Sequence, residues 1–350
     1  MLSGEEQGAL VQLKDLFTQA ELDRVLLLEP GSAPLPPAGR YEVLADLFAG
    51  GKEVERRDLM ACAPEELLST IEALGLVNRA GDKVVSAYRL VYHLGLWLFC
   101  EKVTPSAKFY YGNDSIELSR MVQGAHGNVL DLCSGVGTQA LVAARTAARV
   151  TAVEIEPLAA KLFWVNSAMN GLAGKVELIN GDLLEPVAGR RFDLISCNPP
   201  FMPVPPGVRY PRFADGGSDG LAIVRRLMAG LPDALTTGGR CEVVGAVLGN
   251  GESPDLAAFK KMAADASLAI IIDCRTREEL EGKTLKQLVG MALNEGAEEE
   301  VDRAFRSHFS ILGVTHLYCF LLHATRAPSP MVCASYKEGS DANFWMVPFP

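Results

Sequence analysis

From Asn128 onward the chain alternates short apolar runs with longer amphipathic stretches. The runs NVLDLC (128–133), VTAVEI (150–155), KVELIN (175–180), FDLISC (192–197), RCEVVGAV (240–247), LAIIIDC (268–274) and HLYCFLLHA (316–324) predict strands. Helical periodicity fills the gaps at Thr138–Ala148, Pro157–Asn170, Ser218–Leu235 and Pro254–Ala266. Two further helices, about Arg277–Asn294 and Glu298–Leu312, precede the last strand. Near-continuous apolar strands separated by helices predict a parallel sheet covered on both faces. The expected fold is α/β, with a Rossmann-like, seven-stranded, mostly parallel sheet over residues 127–350.

Residues 1–100 carry a different pattern. A helical segment from Glu5 to Leu28 meets a proline-rich break, EPGSAPLPPAGR. Beyond it a short helix leads through Ala63-Pro64 into a second, and LVNRAGDKVVSA (76–87) reads as a hairpin turning at Ala80-Gly81-Asp82. Helix, turn, helix, hairpin is the order of a winged helix, so this part is expected to be a helical, winged-helix-like domain. Residues 101–126 read as a connecting segment that lines a pocket, and the tail from Ala327 is unassigned.

Charge changes what that module is expected to do. The second helix of the pair carries Glu65, Glu66 and Glu72 and no basic residue, and residues 1–100 hold nine Lys and Arg against fifteen Asp and Glu. Phosphates would repel it. The whole chain, at −10 with a pI near 5.1, also disfavours a nucleic-acid partner. A scaffolding, dimer-forming or substrate-covering role is expected instead, with a homodimer through this domain as one outcome. No run approaches the roughly 20 apolar residues of a membrane span, LVYHLGLWLFC (90–100) being the longest suspect. The acidic N-terminus does not read as a secretory signal, so a cytoplasmic location is expected. The eight cysteines show no CxxC spacing and the five histidines no HxH or HxxxH pair. They read as reduced core thiols and isolated imidazoles, with no metal site.

The chemistry concentrates at strand ends. VLDLCSGVGTQA places Asp131 near the end of the first strand and Gly135 and Gly137 in the turn to the next helix. Glycines there let a ligand approach the backbone and the unpaired N–H groups of a helix start. The same turn satisfies a dinucleotide fingerprint, but Asp131 would oppose a pyrophosphate. It suits the amino group of a ligand such as S-adenosylmethionine, although an Asp there also serves as a helix cap. Glu154, ending the second strand, is placed to accept two ribose hydroxyls. Asp182 in NGDLLE is placed to take an adenine amino group, with Leu183 donating its backbone N–H to the ring. In open parallel sheets ligands gather at this carboxyl edge.

SCNPPFMP (196–203) follows the fourth strand on the same edge. Prolines cannot continue a ladder, so Pro199 and Pro200 make a rigid corner after Asn198. Two acceptors there, the Asn198 side-chain oxygen and the Pro199 carbonyl, would hold the hydrogens of a planar nitrogen and aim it at a methyl donor. Phe201 would stack on the flat acceptor group.

Residues 128–248 resemble a class I S-adenosylmethionine-dependent methyltransferase of the Asn-Pro-Pro-aromatic group, through DLCSGVGTQA, AVEIEP, NGDLLE and NPPF. FADGGSDGLAIVRRLM (213–228) is similar to the GG-x-DGL segment of release-factor glutamine methyltransferases, and FYYGNDSIELSRMV (109–122) to the pre-core segment of the methyltransferase small family. The resemblance implies S-adenosyl-L-methionine as cofactor, held by Asp131, Cys133, Gly135, Gly137, Glu154, Ile155, Asp182, Leu183 and Asn198. It implies catalysis at Asn198, Pro199, Pro200 and Phe201. Phe201 stands where glutamine methyltransferases usually have Tyr, Cys133 where Gly is frequent, and MPVPPGVRYPRF (202–213) is unusually rich in proline. Three acceptors fit: a small molecule bearing an amide, guanidino or amine nitrogen, a protein glutamine, and a ribosomal or transfer RNA base. The acidic charge and these departures favour the small molecule. Tyr111, Asp114, Glu117, Asp215 and Asp219 are then candidate substrate residues, the acids by pairing with a guanidinium.

Overall fold

The computed structural model describes residues 2–26, 39–101, 107–293 and 297–336; the tail beyond 336 and the core of the proline-rich break lie outside the described residues. The chain forms two compact units, one of residues 1–102 with 158–176, the other of 103–157 with 177–350.

In the first unit, helices α1 (Gly4–Gln19), α2 (Leu22–Leu26), α3 (Glu42–Leu44), α4 (Arg56–Met60) and α5 (Glu65–Ala73) accompany two small sheets. One is β1 (Val54–Glu55), β3 (Lys83–Ser86) and β2 (Val77–Ala80) in that spatial order; the other is the hairpin β4 (Arg89–His93) and β5 (Leu96–Cys100). Ser3 and Glu6 cap α1 reciprocally, and Phe17 packs with Phe48, Trp97 and Phe99 in an aromatic core. Two of the acids of α5 are paired: Arg56 forks onto Glu65 at 2.5 and 2.9 Å and reaches Glu72 at 3.2 Å.

The second unit begins with α6 (Asn113–Val122) and continues through β6 (Asn128–Leu132), α7 (Thr138–Ala144) and β7 (Arg149–Glu154). Next comes α8 (Pro157–Met169), whose residues from Leu158 group with the first unit. There Asn166 and Asn170, one helical turn apart, each accept from and donate to the backbone of Phe99 and Trp97 on β5, at 2.7 to 3.1 Å. This explains how the fully buried β5 satisfies an edge.

The chain then runs through β8 (Val176–Asn180), β9 (Phe192–Cys197), α9 (Ala222–Ala234), β10 (Leu235–Gly249), α10 (Ala257–Ala266), β11 (Leu268–Glu279), α11 (Gly282–Gly290), α12 (Glu298–Leu312), β12 (His316–Arg326) and β13 (Met331–Tyr336). The sheet has eight strands rather than seven, ordered β13-β11-β12-β10-β9-β6-β7-β8. β12 runs antiparallel to both neighbours, and β13 adds a parallel edge from the tail left unassigned above. Alternation along β10 divides the core: Cys241, Val243 and Val247 pack with α9 and α10, while Val244, Ala246 and Leu248 pack with α6, α11 and α12. The stretch Arg277–Glu279, expected to open a helix, instead extends β11 because it pairs with β12 beyond a bulge. The helix after it is shorter accordingly.

Candidate active site

The carboxyl edge of β6, β7 and β9 borders a cavity of about 340 Å³, within the usual size of a small-molecule site. At its first turn Cys133, Gly135 and Gly137 all take positive φ, at 55°, 53° and 92°. Two are glycines, for which this costs nothing; Cys133 holds a left-handed conformation that L side chains disfavour. Cys133 and Gly135 line the cavity, while Gly137 sits at the start of α7.

Asp131 does not line the cavity. It is 1% exposed, and its oxygens accept from the Ser134 hydroxyl at 2.6 Å, the Ser196 hydroxyl at 2.7 Å and the Ala140 N–H at 3.2 Å. Within the chain itself these bonds give Asp131 a structural role. The carboxylate ties strand end, turn and helix together, and burial pushes its pKa up to about 6 against the pull of those donors.

Glu154 lines the cavity, as do Ile155, Asp182 and Leu183. The Glu154 carboxylate accepts from the N–H of Gly135 and of Glu156, both at 2.7 Å, which keeps a lone pair on each oxygen for a further donor. Burial raises its pKa. Asp182 accepts from Arg226 on α9 at 2.8 Å, and Leu183 takes φ 47°. Arg226, a cavity residue, was not legible in the sequence, since nothing in α9's pattern distinguishes it from Arg225.

Asn198, Pro199, Pro200 and Phe201 all face the same cavity. The Asn198 amide donates from Nδ2 to Asp114 Oδ2 and to Ser115 Oγ, both at 3.2 Å. An ionised carboxylate only accepts, so this contact assigns which end of the amide is nitrogen. Among the described residues none donates to Asn198 Oδ1 or to the Pro199 carbonyl, and the β9–β10 ladder ends at Cys197. Asp114 itself is 1% exposed, and burial pushes its carboxyl up to about 6 despite hydrogen bonds from Ser115 and Asn198.

The GGSDG segment buttresses this corner. Met202 N–H donates to the Ala214 carbonyl, Gly216 N–H to Met202 and Val204 N–H to Gly217, at 2.8 to 2.9 Å. A Cβ on Gly216 would lie 2.7 Å from the Phe201 Cα, and one on Gly220 would lie 2.5 Å from the Phe201 carbonyl oxygen. Only glycine admits that approach.

The remaining substrate candidates separate. Asp114 and Asp215 line the cavity; Tyr111, Glu117 and Asp219 do not. Glu117 pairs with Arg120 and Asp219 with Arg225, while Asp215 accepts the Gly217 N–H at 2.9 Å. Glu117 and Asp219 are thus taken up by arginines of the chain, whereas Asp215 keeps its second oxygen open at the cavity wall. In place of Tyr111, its neighbour Tyr110 lines the wall, stacked on Phe213 at 6.2 Å and 4°. The rest of the wall mixes apolar Met202, Phe213, Leu288 and Met291 with the amide of Gln287 and the charged Arg212 and Asp215.

Residues 114–253 match the methyltransferase small domain. The chain is 34% identical to the release factor glutamine methyltransferase of Moorella thermoacetica over 53% of this chain and 70% of that protein. It is 41% identical to the ribosomal protein uL3 glutamine methyltransferase of Bradyrhizobium diazoefficiens over 33% of this chain and 40% of the relative. The corresponding release factor enzyme of Geobacter sulfurreducens is 35% identical over 50% and 64%. The chain thus spans from two fifths to seven tenths of these relatives' lengths. Among solved structures it is similar to wild-type Trm5b from Pyrococcus abyssi, at 15% identity and a TM-score of 0.40 over 71% of this chain and 62% of that one.

The chain belongs to the class I S-adenosylmethionine-dependent methyltransferases of the methyltransferase small and release-factor glutamine methyltransferase group.

Proposed function

We propose that the chain methylates the side-chain nitrogen of a glutamine residue in a protein. One observation carries this reading: Asp114 and Ser115 hold the Asn198 amide so that Oδ1, with the Pro199 carbonyl, is left to accept from a ligand N–H. The wall beyond includes Met202, Phe213, Leu288 and Met291, which suit the methylenes that carry a glutamine carboxamide. The relatives act, by name, on glutamine of release factors and of ribosomal protein uL3. The small-molecule acceptor favoured by charge has no comparable support. Glutamine in translation proteins would place the reaction in the cytoplasm.

The cavity suits the expected cofactor: Glu154 for hydroxyls, the left-handed Gly135 backbone open to a ligand, and Ile155 and Leu183 for a flat ring. S-Adenosylmethionine, when bound, supplies a methyl group on a sulfonium. The chain's residues orient and desolvate the acceptor. Oδ1 of Asn198 and the Pro199 carbonyl would accept its two amide hydrogens, which concentrates the nitrogen lone pair and directs it inward. Once the nitrogen has taken the methyl group it is cationic and loses one of those protons, so no strong base is required. The acids of α5, which would be repelled by phosphates, support the reading that the first unit has a role other than DNA binding.

Incubation with methyl-labelled cofactor and N-acetyl-glutamine methylamide should yield N5-methylglutamine. Label on the matching arginine or lysine derivative instead would overturn the reading. Asn198→Ala should lower kcat by about 10²–10³ while cofactor affinity, measured by calorimetry, stays unchanged.

A further inference from the structure

We infer that Gln287 on α11 is a specificity-determining residue that hydrogen-bonds the acceptor's carboxamide; this rests on the glutamine reading above. The Gln287 amide oxygen is buried without a hydrogen-bond partner among the described residues, and the side chain lines the cavity that Asn198 and Phe201 also line. A buried acceptor left without a donor is costly in a native protein. The oxygen itself is closed off while other atoms of the residue line the cavity, so a ligand N–H would supply the missing donor on a turn of the Gln287 side chain toward it.

The helix that carries Gln287 is held firmly. Leu285, Leu288 and Val289 sit in the core shared with α12 and β12. The buried Tyr210 hydroxyl donates to the Leu288 carbonyl at 3.0 Å, and the Leu293 N–H donates to the Arg209 carbonyl at 2.9 Å. The proline-rich segment expected to form a substrate wall thus latches α11 through Arg209 and Tyr210, and α11 supplies the wall.

A carboxamide offers one acceptor and one donor face, so its complement is another neutral amide. An ammonium or guanidinium would satisfy only the oxygen, and a carboxylate only the nitrogen. Leu288 and Met291, beside Gln287 on the same wall, suit the methylenes that carry a glutamine amide. α11 lies in the connection between β11 and β12, outside the span that matches the methyltransferase small domain. It is a means by which this chain selects its own acceptor.

The test is Gln287→Met, which keeps volume and removes both polar faces, with Gln287→Glu beside it. With N-acetyl-glutamine methylamide as acceptor, Gln287→Met should raise KM at least about tenfold, with a smaller effect on kcat. The Kd for S-adenosylmethionine should move less than about twofold, which also reports an intact fold. Gln287→Glu should lose discrimination against the corresponding lysine derivative. An unchanged KM for glutamine in Gln287→Met, with wild type active, overturns this inference alone. A wild-type enzyme that leaves glutamine unmethylated overturns the functional reading, and this inference with it.

Discussion

Asp114 shows how much one side chain's surroundings decide. By charge it reads as a partner for a cationic substrate; by geometry it anchors Asn198, and its own second oxygen takes the Ser115 N–H at 2.7 Å. Asp114→Ala should therefore free the Asn198 amide and lower kcat by about ten- to a hundredfold, the worth of one charge-assisted hydrogen bond, with cofactor affinity retained. Because burial holds this carboxyl near 6, turnover should fall as pH drops through that value and the acid stops accepting. Asp114→Asn should remove this limb from the kcat–pH profile. A limb that persists unchanged would count against Asp114 as the titrating group and point to another buried carboxyl, Asp131 or Glu154. Asp131, Glu154, Asp182 and Asn198 were legible as strand-end residues. Their hydrogen-bond partners Ser196, Arg226 and Ser115 were not, because such pairings join positions 44 to 83 residues apart.

Among elements, the segment Asp215–Gly220 has a physical meaning that motif similarity alone does not convey. Of its residues only Asp215 lines the cavity, and Gly216 and Gly220 pack against the backbone of Phe201. Gly220 takes φ 80°, so Gly220→Ala costs about 1–2 kcal/mol from conformation before the 2.5 Å approach to the Phe201 oxygen is counted. Thermal unfolding should show the loss, and kcat should fall with it as the Asn-Pro-Pro-Phe corner shifts. A variant of wild-type stability and turnover would refute the buttress. Strands with two buried faces were readable throughout. Arg275–Glu279 was not, since a charged run has no apolar period and becomes strand only through its ladder with β12.

For the whole molecule, the raised pKa values have a common sign. Burial lifts Asp114 and Asp131 to about 6. A hydrogen bond from His323 to buried Glu242, at 2.9 Å, lifts the imidazole above its ordinary value against partial burial. A folded pKa above the unfolded one means the native state binds more protons, so each contribution is full at low pH and lost as pH rises through the folded value. For the two acids the window runs from about 4 to 6, and for His323 it lies above about 6.5. The melting temperature should decline as pH rises from about 5 to 8, and His323→Asn should flatten the upper part of that decline. A melting temperature that climbs across this range would contradict the assignment. Net charge acts in the same direction, since −10 at pH 7 relaxes toward neutrality near pH 5.1.

The sequence by itself determined the alternation of strands and helices, the carboxyl edge that borders the cavity, and the rigid corner at Asn198, because apolar period, glycine and proline act on residues near in the chain. Tertiary structure alone decided which polar atoms are already satisfied. Asp131 and Asp114 turned inward, Gln287 was left without a partner, and α8 joined the N-terminal hairpin through Asn166 and Asn170. A hydrogen bond between distant residues depends on where folding brings them, and no local pattern records it.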